Sequence, residues 1–157
     1  MIRLCLISGF VIVADQITKA LVIGFLPLHA SVTVIPDFFD LTHILNSGGA
    51  FGLLAGQNPV VRKFFFLFVS SAVSCLILWF YIKTEKKSFI LSSGFASVFG
   101  GAVGNLIDRF RFGRVVDFLY FHIGHYYWPA FNIADSAICI GMAVFLYYTV
   151  SRKLPDL

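Results

Sequence analysis

The fold is most clearly indicated by residues 64–82, FFFLFVSSAVSCLILWFYI. This stretch runs for nineteen positions without a charged side chain. As an α-helix this stretch would measure about 28 Å at 1.5 Å per residue, close to the ~30 Å hydrocarbon core of a bilayer. Three further apolar segments of similar length lie at residues 4–26, 89–107 and 131–150. The sequence therefore predicts an all-α membrane protein with four transmembrane helices.

The composition agrees with a lipid environment. Apolar residues make up 59% of the 157 residues, charged residues make up 13%, and the mean hydropathy is +0.87. A soluble domain carries about 25% charged residues, so a soluble enzyme and a nucleic-acid reader are both excluded. The net charge of +4 suits loops that face anionic lipid. Cys5, Cys75 and Cys139 are far apart in apolar runs, so we predict buried small residues rather than a disulfide framework or metal site.

The distribution of basic residues predicts the orientation. An even number of spans places both termini on one side, where six Lys and Arg residues lie in short segments, against five on the other side. The positive-inside rule then places both termini in the cytoplasm. Asp15 and Lys19 interrupt the first span and no small-residue cleavage site follows, so we expect this span to stay attached rather than act as a cleaved signal peptide.

The two long connections lie on the other side of the membrane. In the first, residues 27–63, the segments 31–35 and 41–45 have β character and are separated by a turn, which predicts a small extracytoplasmic hairpin or sheet. In the second, residues 108–130, the apolar stretch 115–123 is too short to span, so we place it at the membrane interface.

Polar side chains inside or beside the spans are the candidate functional residues, because ionisable groups are expensive in a bilayer. Asp15 and Lys19 lie four residues apart on one helix face, which favours an internal ion pair or a joint contact with a substrate. Asn105, Asp108 and Arg109 share a face at the end of the third span, where they form part of a site or simply neutralise one another.

Two carboxylates point to acid–base chemistry. Asp135 follows Asn132 by three residues and has no basic neighbour in sequence, so we expect it to be protonated or to share a proton. Asp117 is flanked by valine and phenylalanine, which predicts desolvation. Two desolvated carboxylates brought together share one proton, so that one is a base and the other an acid. We prefer the pair Asp117–Asp135, with Asp108–Asp135 as the alternative.

The remaining motifs are weaker. Asn46 precedes two glycines and indicates either a plain turn or an amide that orients a carbonyl. His122 and His125 lack a clear third ligand beside Asp117, so we interpret them as interfacial histidines and expect no metal. HExxH, GxSxG and phosphate-binding loops do not occur in the sequence, so metallopeptidase, serine hydrolase and nucleotide-driven interpretations lack support.

Together these residues resemble the lipoprotein signal peptidases (signal peptidase II), which are aspartic peptidases of the bacterial inner membrane. The resemblance runs from Asp15 to about Gly141 and is carried by five motifs in the family's order. These are Asp15-Gln16-x-Thr18-Lys19, Asn46-x-Gly48-x-Ala50-Phe51, Gly101-Ala102-x-Gly104-Asn105-x-x-Asp108-Arg109, Val115-Val116-Asp117-Phe118 and Phe131-Asn132-x-Ala134-Asp135-Ser136.

The resemblance implies cleavage of a prolipoprotein signal peptide on the amino side of a cysteine that already carries diacylglycerol, without a metal or other cofactor. It implies a β-cradle and an interfacial helix within residues 27–63, and a site near the extracytoplasmic face. We expect the substrate and membrane lipids to be the partners of a monomeric chain. The family's catalytic aspartates match Asp117 and Asp135, and its supporting residues match Asp15, Lys19, Asn46, Asn105, Asp108, Arg109 and Asn132.

Two other classes of function are compatible with buried polar groups. A small proton-coupled transporter would also place acids within spans, although acids near one membrane face make a poor path across. A structural subunit would use the same groups as polar contacts between helices.

Overall fold

The computed structural model describes residues 1–48 and 56–155. Its helices are α1 (Ile2–Phe25), α2 (Pro59–Thr84), α3 (Phe89–Phe112) and α4 (Ile133–Val150), and its strands are β1 (Ser31–Ile35), β2 (Phe39–Asn46), β3 (Val115–Ile123) and β4 (Tyr126–Tyr127). All four helices are long and apolar enough to cross a membrane. The prediction of four transmembrane helices with a small sheet is confirmed.

The interfacial helix expected within residues 27–63 stays a prediction. The described part of this segment contains β1, β2 and the beginning of α2, with no additional helix. Residues 49–55, which include Ala50 and Phe51 of the second motif, lie outside the described residues.

Local sequence explains where the helices begin and end. Asn58 caps α2, because its side-chain oxygen accepts a hydrogen bond from a backbone N–H of the first turn, and Pro59 occupies the first helical position, where a missing N–H costs nothing. Ser88 caps α3 in the same way. Gly113 ends α3 in the left-handed conformation with φ 69°, which glycine adopts without steric cost.

Helix α3 is the centre of the bundle. In an 18-residue stretch of α3, 61% of the residues are buried, against 17–22% in the other three helices. Its glycines permit close packing: a Cβ on Gly101 would lie 2.4 Å from the carbonyl oxygen of Ala134 in α4, and one on Gly100 would lie 2.8 Å from Cα of Ser8 in α1. Small residues of this kind set the helix spacing in membrane proteins.

Apolar residues both fill the bundle and cover its outside. A buried cluster that includes Leu4, Tyr81 and Phe95 lies at the end remote from the sheet, while large side chains such as Phe10 and Phe68 are 75% exposed. The predicted burial of the cysteines was wrong, since Cys5, Cys75 and Cys139 are all exposed. Lipid is as apolar as a protein interior, so an apolar run does not reveal which of its residues face the bundle.

The four strands form one antiparallel sheet in the order β1-β2-β3-β4. The predicted hairpin of residues 31–35 and 41–45 corresponds to β1 and β2. The stretch 115–123, which we assigned to the membrane interface without a strand, is β3 and pairs with both β2 and β4. Its first four residues are all buried, so it lacks the apolar–polar alternation that marks a half-exposed strand.

We expect Gly141→Ala to destabilise the bundle by about 1–3 kcal/mol through overpacking. The added Cβ would lie 2.4 Å from the carbonyl oxygen of Gly94 and 2.5 Å from the Val98 side chain. The melting temperature of the purified protein in detergent measures the effect. Gly9→Ala is the control, because nothing lies within 4 Å of its new methyl group and alanine favours a helix by about 0.5–1 kcal/mol. Equal melting temperatures for the two variants would contradict the tight α3–α4 contact.

Candidate active site

The polar residues singled out from the sequence converge at the end of the bundle that carries the sheet. Helices α1, α3 and α4 each contribute side chains, and β2 and β3 supply one each. The contributing residues are Asp15 and Lys19 from α1, Asn46 from β2, Asn105, Asp108 and Arg109 from α3, Asp117 from β3, and Asn132 and Asp135 from the beginning of α4.

Asn132, the N-cap of α4, contacts both members of the preferred carboxylate pair. Its side-chain Nδ2 donates to Oδ1 of Asp117 at 2.7 Å, while its Oδ1 accepts from the backbone N–H of Asp135 at 2.9 Å. Its own backbone N–H donates to Oδ2 of Asp135 at 3.3 Å, which completes a capping box. Asn132 is fully buried, so one rigid helix terminus holds both Asp117 and Asp135.

Asn46 holds the other oxygen of Asp117. In the sheet, Ile44 of β2 lies opposite Asp117 of β3, which brings the end of β2 beside the carboxylate. Asn46 donates from Nδ2 to Oδ2 of Asp117 at 3.0 Å, and its Oδ1 accepts from the backbone N–H of Gly48 at 3.1 Å. Asn46 therefore lies in a turn, as one interpretation predicted, and the turn orients its amide towards the Asp117 carboxylate. The alternative, in which this amide orients a carbonyl, stays a prediction.

The environment of Asp117 favours its protonated form. Burial raises the pKa of this carboxyl from its ordinary 3.8 to about 7, and repulsion from Asp135 acts in the same direction, while hydrogen bonds from Asn46 and Asn132 oppose the shift. Asp117 is only 2% exposed. A carboxyl that exchanges its proton near neutral pH beside a second carboxylate is suited to general acid–base chemistry.

Asn105 links Asp135 to a buried cation. It donates from Nδ2 to Oδ1 of Asp135 at 2.8 Å, and its own Oδ1 accepts from Nζ of Lys19 at 3.1 Å. Asp135, which has no basic neighbour in sequence, is therefore held by two asparagines, Asn105 and Asn132.

Lys19 is the buried cation at the centre of the polar network. Its Nζ lies 2.8 Å from Oδ2 of Asp15 and 2.8 Å from Oδ2 of Asp108. With the contact to Asn105, all three ammonium protons have acceptors. The side chains of Lys19, Asp15 and Asp108 are at most 2% exposed. The ion-pair interpretation of Asp15 and Lys19 fits this geometry, with Asp108 as a further partner.

Gln16 also belongs to this network, although the sequence reasoning gave it no role. Its Nε2 lies 3.2 Å from Oδ2 of Asp15 and 3.0 Å from Oδ1 of Asp108. The one available signal was its place next to Asp15 in the first motif. Spacing alone does not show that an amide in α1 reaches a carboxylate in α3.

Arg109 lies beside the carboxylates but is not the ion-pair partner of Asp108 that its sequence position suggested. Its Nη1 donates to the backbone oxygen of Asn105 at 3.4 Å, and its guanidinium carbon lies 5.2 Å from the centre of the Phe66 ring. It is near enough to Asp135, Asp117 and Asp108 to be attracted by their charges. The salt bridge to Asp108 comes instead from Lys19.

The histidines lie apart from this network. Nε2 of His122 is 3.1 Å from Oδ2 of Asp40, and His125 is exposed in the turn between β3 and β4. Within residues 1–48 and 56–155, no group of three or more His, Cys, Asp or Glu side chains is placed to hold a metal ion.

The fold and the site define an integral membrane protein with a desolvated carboxylate pair at one end of a four-helix bundle. Comparisons with known proteins identify its family. The family model described as signal peptidase (SPase) II matches residues 7–151. The lipoprotein signal peptidase of Desulforapulum autotrophicum is 62% identical over 157 residues, which are 100% of this chain and 97% of that protein. The lipoprotein signal peptidase of Syntrophotalea carbinolica is 46% identical over 143 residues, 91% of this chain and 88% of that protein.

A solved structure shows the same fold. It is described as a bacterial membrane enzyme structure determined by the in meso method at 2.3 Å resolution, and it superposes with a TM-score of 0.82 at 33% identity over 98% of this chain and 93% of that one. The chain belongs to the signal peptidase II family. Membership implies a membrane peptidase that removes signal peptides from prolipoproteins.

We expect Lys19→Met to lower the free energy of unfolding by about 3–5 kcal/mol, because it leaves Asp15 and Asp108 buried without their cation. The melting temperature and the folded yield in detergent measure the loss. Lys86→Met is the matched control, since Lys86 lies exposed in the turn after α2. Melting temperatures that fall equally in both variants would contradict a buried ion pair.

Proposed function

We propose that Asp117 and Asp135 are the catalytic pair of this peptidase and that they hydrolyse the peptide bond on the amino side of the diacylglyceryl-modified cysteine of a prolipoprotein. The observation that carries this proposal is that Asn132 holds both carboxylates at one helix terminus. Membership of the family supplies the substrate class.

The reaction needs one protonated and one ionised carboxyl. The ionised carboxylate takes a proton from water as the water oxygen attacks the scissile carbonyl carbon, and the protonated carboxyl gives its proton to the carbonyl oxygen. The tetrahedral intermediate then collapses as the carbon–nitrogen bond breaks. The carboxyl that took the water proton gives it to the leaving nitrogen, and the other carboxylate takes the proton of one hydroxyl, which forms the product carboxyl group and restores the pair. Proton transfer of this kind contributes about 10²–10⁴-fold to the rate, and positioning of the substrate supplies further acceleration. No covalent intermediate and no metal are required.

The surroundings favour Asp117 over Asp108 as the partner of Asp135. Asp108 accepts hydrogen bonds from Gln16 and from the backbone N–H of Val116, and it forms a salt bridge with Lys19. Asp108 is therefore paired directly with a cation. Asp117 accepts only amide hydrogen bonds from neutral side chains, which leaves its proton available for exchange.

The other site residues then have positioning roles. Asn46, Asn105 and Asn132 orient the two catalytic carboxylates, while Arg109 provides positive charge next to them. Asp15, Lys19 and Asp108, all buried, fix the helices and strand that carry the pair.

We further propose the bacterial inner membrane as the location, with the carboxylate pair near the extracytoplasmic face and both termini in the cytoplasm. The dense basic segments at the opposite end of the bundle support this orientation. The polar network is built from side chains of a single chain, which supports activity as a monomer surrounded by membrane lipid.

We expect Asp117→Asn and Asp135→Asn each to reduce cleavage of a diacylglyceryl-modified prolipopeptide by about 10²–10⁴-fold, because each removes one proton-transfer group. The purified protein in detergent with EDTA is the test system, and the rate is normalised to folded protein. Asp108→Asn is the matched control, with a lower melting temperature but measurable cleavage per folded molecule.

Two results would change the assignment. Cleavage that survives Asp117→Asn but not Asp108→Asn would make Asp108 the partner of Asp135. Full dependence on a metal, seen as complete inhibition by EDTA, would contradict the metal-free mechanism.

We expect the cleavage rate to fall as pH rises through about 7, since Asp117 holds a proton below its pKa of about 7 and loses it above. Asn46→Ala removes a hydrogen bond that stabilises the ionised carboxylate, so it raises the pKa of Asp117 and moves this alkaline limb to higher pH. The pH profile of kcat/KM for wild type and variant measures the shift.

Asn58→Ala is the control for this shift. Asn58 also hydrogen-bonds a backbone N–H, but at the cap of α2, so its variant should keep the wild-type limb. A limb that moves to lower pH in Asn46→Ala, or equally in both variants, would contradict the role of Asn46.

A further inference from the structure

A basic cavity lies between α2 and α3 at the same end of the bundle as the carboxylate pair. It measures about 490 Å³, and four of the residues that line it are cations, Arg62, Lys63, Arg111 and Arg114. None of the described residues that line it is acidic. The cavity is therefore an electropositive recess where the two helices meet the sheet end.

The helix dipoles favour only some of these four cations at their positions. Arg111 lies in the last turn of α3, where a cation is favourable, and Nζ of Lys63 donates to the backbone oxygen of Phe110 at that same helix end at 3.1 Å. Arg62 and Lys63, however, lie near the N-terminus of α2, which has no acidic residue in its first turn. Cations at a helix N-terminus are unfavourable, so an anion bound there would interact with the side chains and the dipole together.

An apolar cavity continues the recess along the same two helices. It measures about 460 Å³, and its lining is apolar except for one hydroxyl, from Ser71. In α2, Phe64 lines the basic cavity and Leu67, about one turn later, lines the apolar one. In α3, Arg111 lines the basic cavity and Phe110, the residue before it, lines the apolar one. The two cavities thus follow one another along the same helix pair, the basic one at the bundle end and the apolar one towards the middle of the spans. We refer to them together as the α2–α3 groove, with a basic and an apolar section.

We propose that this α2–α3 groove binds an anionic phospholipid, with the phosphate in the basic section and an acyl chain in the apolar section. Basic pockets between transmembrane helices bind anionic headgroups. The diacylglyceryl group of a prolipoprotein carries no phosphate, so four cations at the head of the groove favour a phospholipid over the substrate as its occupant. The groove shares no lining residue with the carboxylate pair or the asparagines that hold it, so the proposal does not rest on their proposed catalytic role.

The test titrates the purified full chain in non-ionic detergent with phosphatidylglycerol, and with phosphatidylcholine of the same acyl chains, and counts bound lipid by native mass spectrometry. The groove variant is Lys63→Gln/Arg111→Gln/Arg114→Gln. The matched control, Lys83→Gln/Lys86→Gln/Lys87→Gln, removes three positive charges from the opposite end of the same helix pair.

We expect wild type and control to bind phosphatidylglycerol at least about tenfold more tightly than phosphatidylcholine, and the groove variant to lose this preference. Ser71→Trp, which fills the apolar section, should weaken phosphatidylglycerol binding while keeping every cation. If the triple groove variant fails to fold, Arg114→Gln alone, at an exposed position, should weaken binding about fivefold.

Three results would overturn the proposal. Equal phosphatidylglycerol binding by the groove and control variants would show that the basic section takes no part. Equal binding of the two lipids to wild type would leave an apolar groove open to the substrate's diacylglyceryl group. Displacement of the lipid by millimolar inorganic phosphate, with no effect of Ser71→Trp, would indicate a simple anion site. None of these results bears on the peptidase activity, because the measurement involves no cleavage.

Discussion

The site depends on one buried cation. Nζ of Lys19 contacts Asp15, Asp108 and Asn105 at 2.8–3.1 Å, so a single side chain of α1 connects two acids and an amide on two helices. In an environment of low dielectric, a charge without partners is prohibitively costly, so the four groups stabilise one another or none is tolerated. The same contacts explain why ionisable residues occupy the most buried part of a lipid-solvated protein.

This ion cluster also places the elements that carry the carboxylate pair. Oδ1 of Asp15 accepts from the backbone N–H of Ala134, the second residue of α4, and Oδ2 of Asp108 accepts from the backbone N–H of Val116 in β3. Each backbone N–H is adjacent in sequence to one of the two proposed catalytic aspartates, Asp135 or Asp117. The buried acids that position these elements, Asp15 and Asp108, are thus different residues from the proposed proton-transfer groups and act on them through the backbone. The negative charge that fixes the fold therefore need not take part in proton transfer.

Sequence reasoning singled out most of the polar residues that converge at the sheet end of the bundle, but it did not give their contacts. Periodicity and the cost of buried charge identified Asp15, Lys19 and Asp135, because these rules require only one helix at a time. One of the two interpretations of Asp108 paired it with neighbouring arginines, but its salt bridge is to Lys19, which is close only when α1 packs on α3. Gln16 and the strand character of residues 115–123 were missed for the same reason, because the groups that satisfy them come from distant parts of the chain.

Four membrane-spanning helices and a small β hairpin could be predicted from the sequence alone, which also singled out carboxylates as candidate chemical groups and contains no HExxH motif or phosphate-binding loop. Hydropathy, turn residues and the cost of a buried charge are local properties, so they can be read along the chain. Three features could be seen only in the folded chain. Asn132 holds Asp117 and Asp135 together, and Lys19 joins Asp15 to Asp108. The α2–α3 groove combines a basic and an apolar section. Each of these depends on the crossing of the helices and on strand register. Glycines at which an added Cβ would lie only 2.4 Å from the facing helix set the helix spacing, and the pairing of β2 with β3 sets the register.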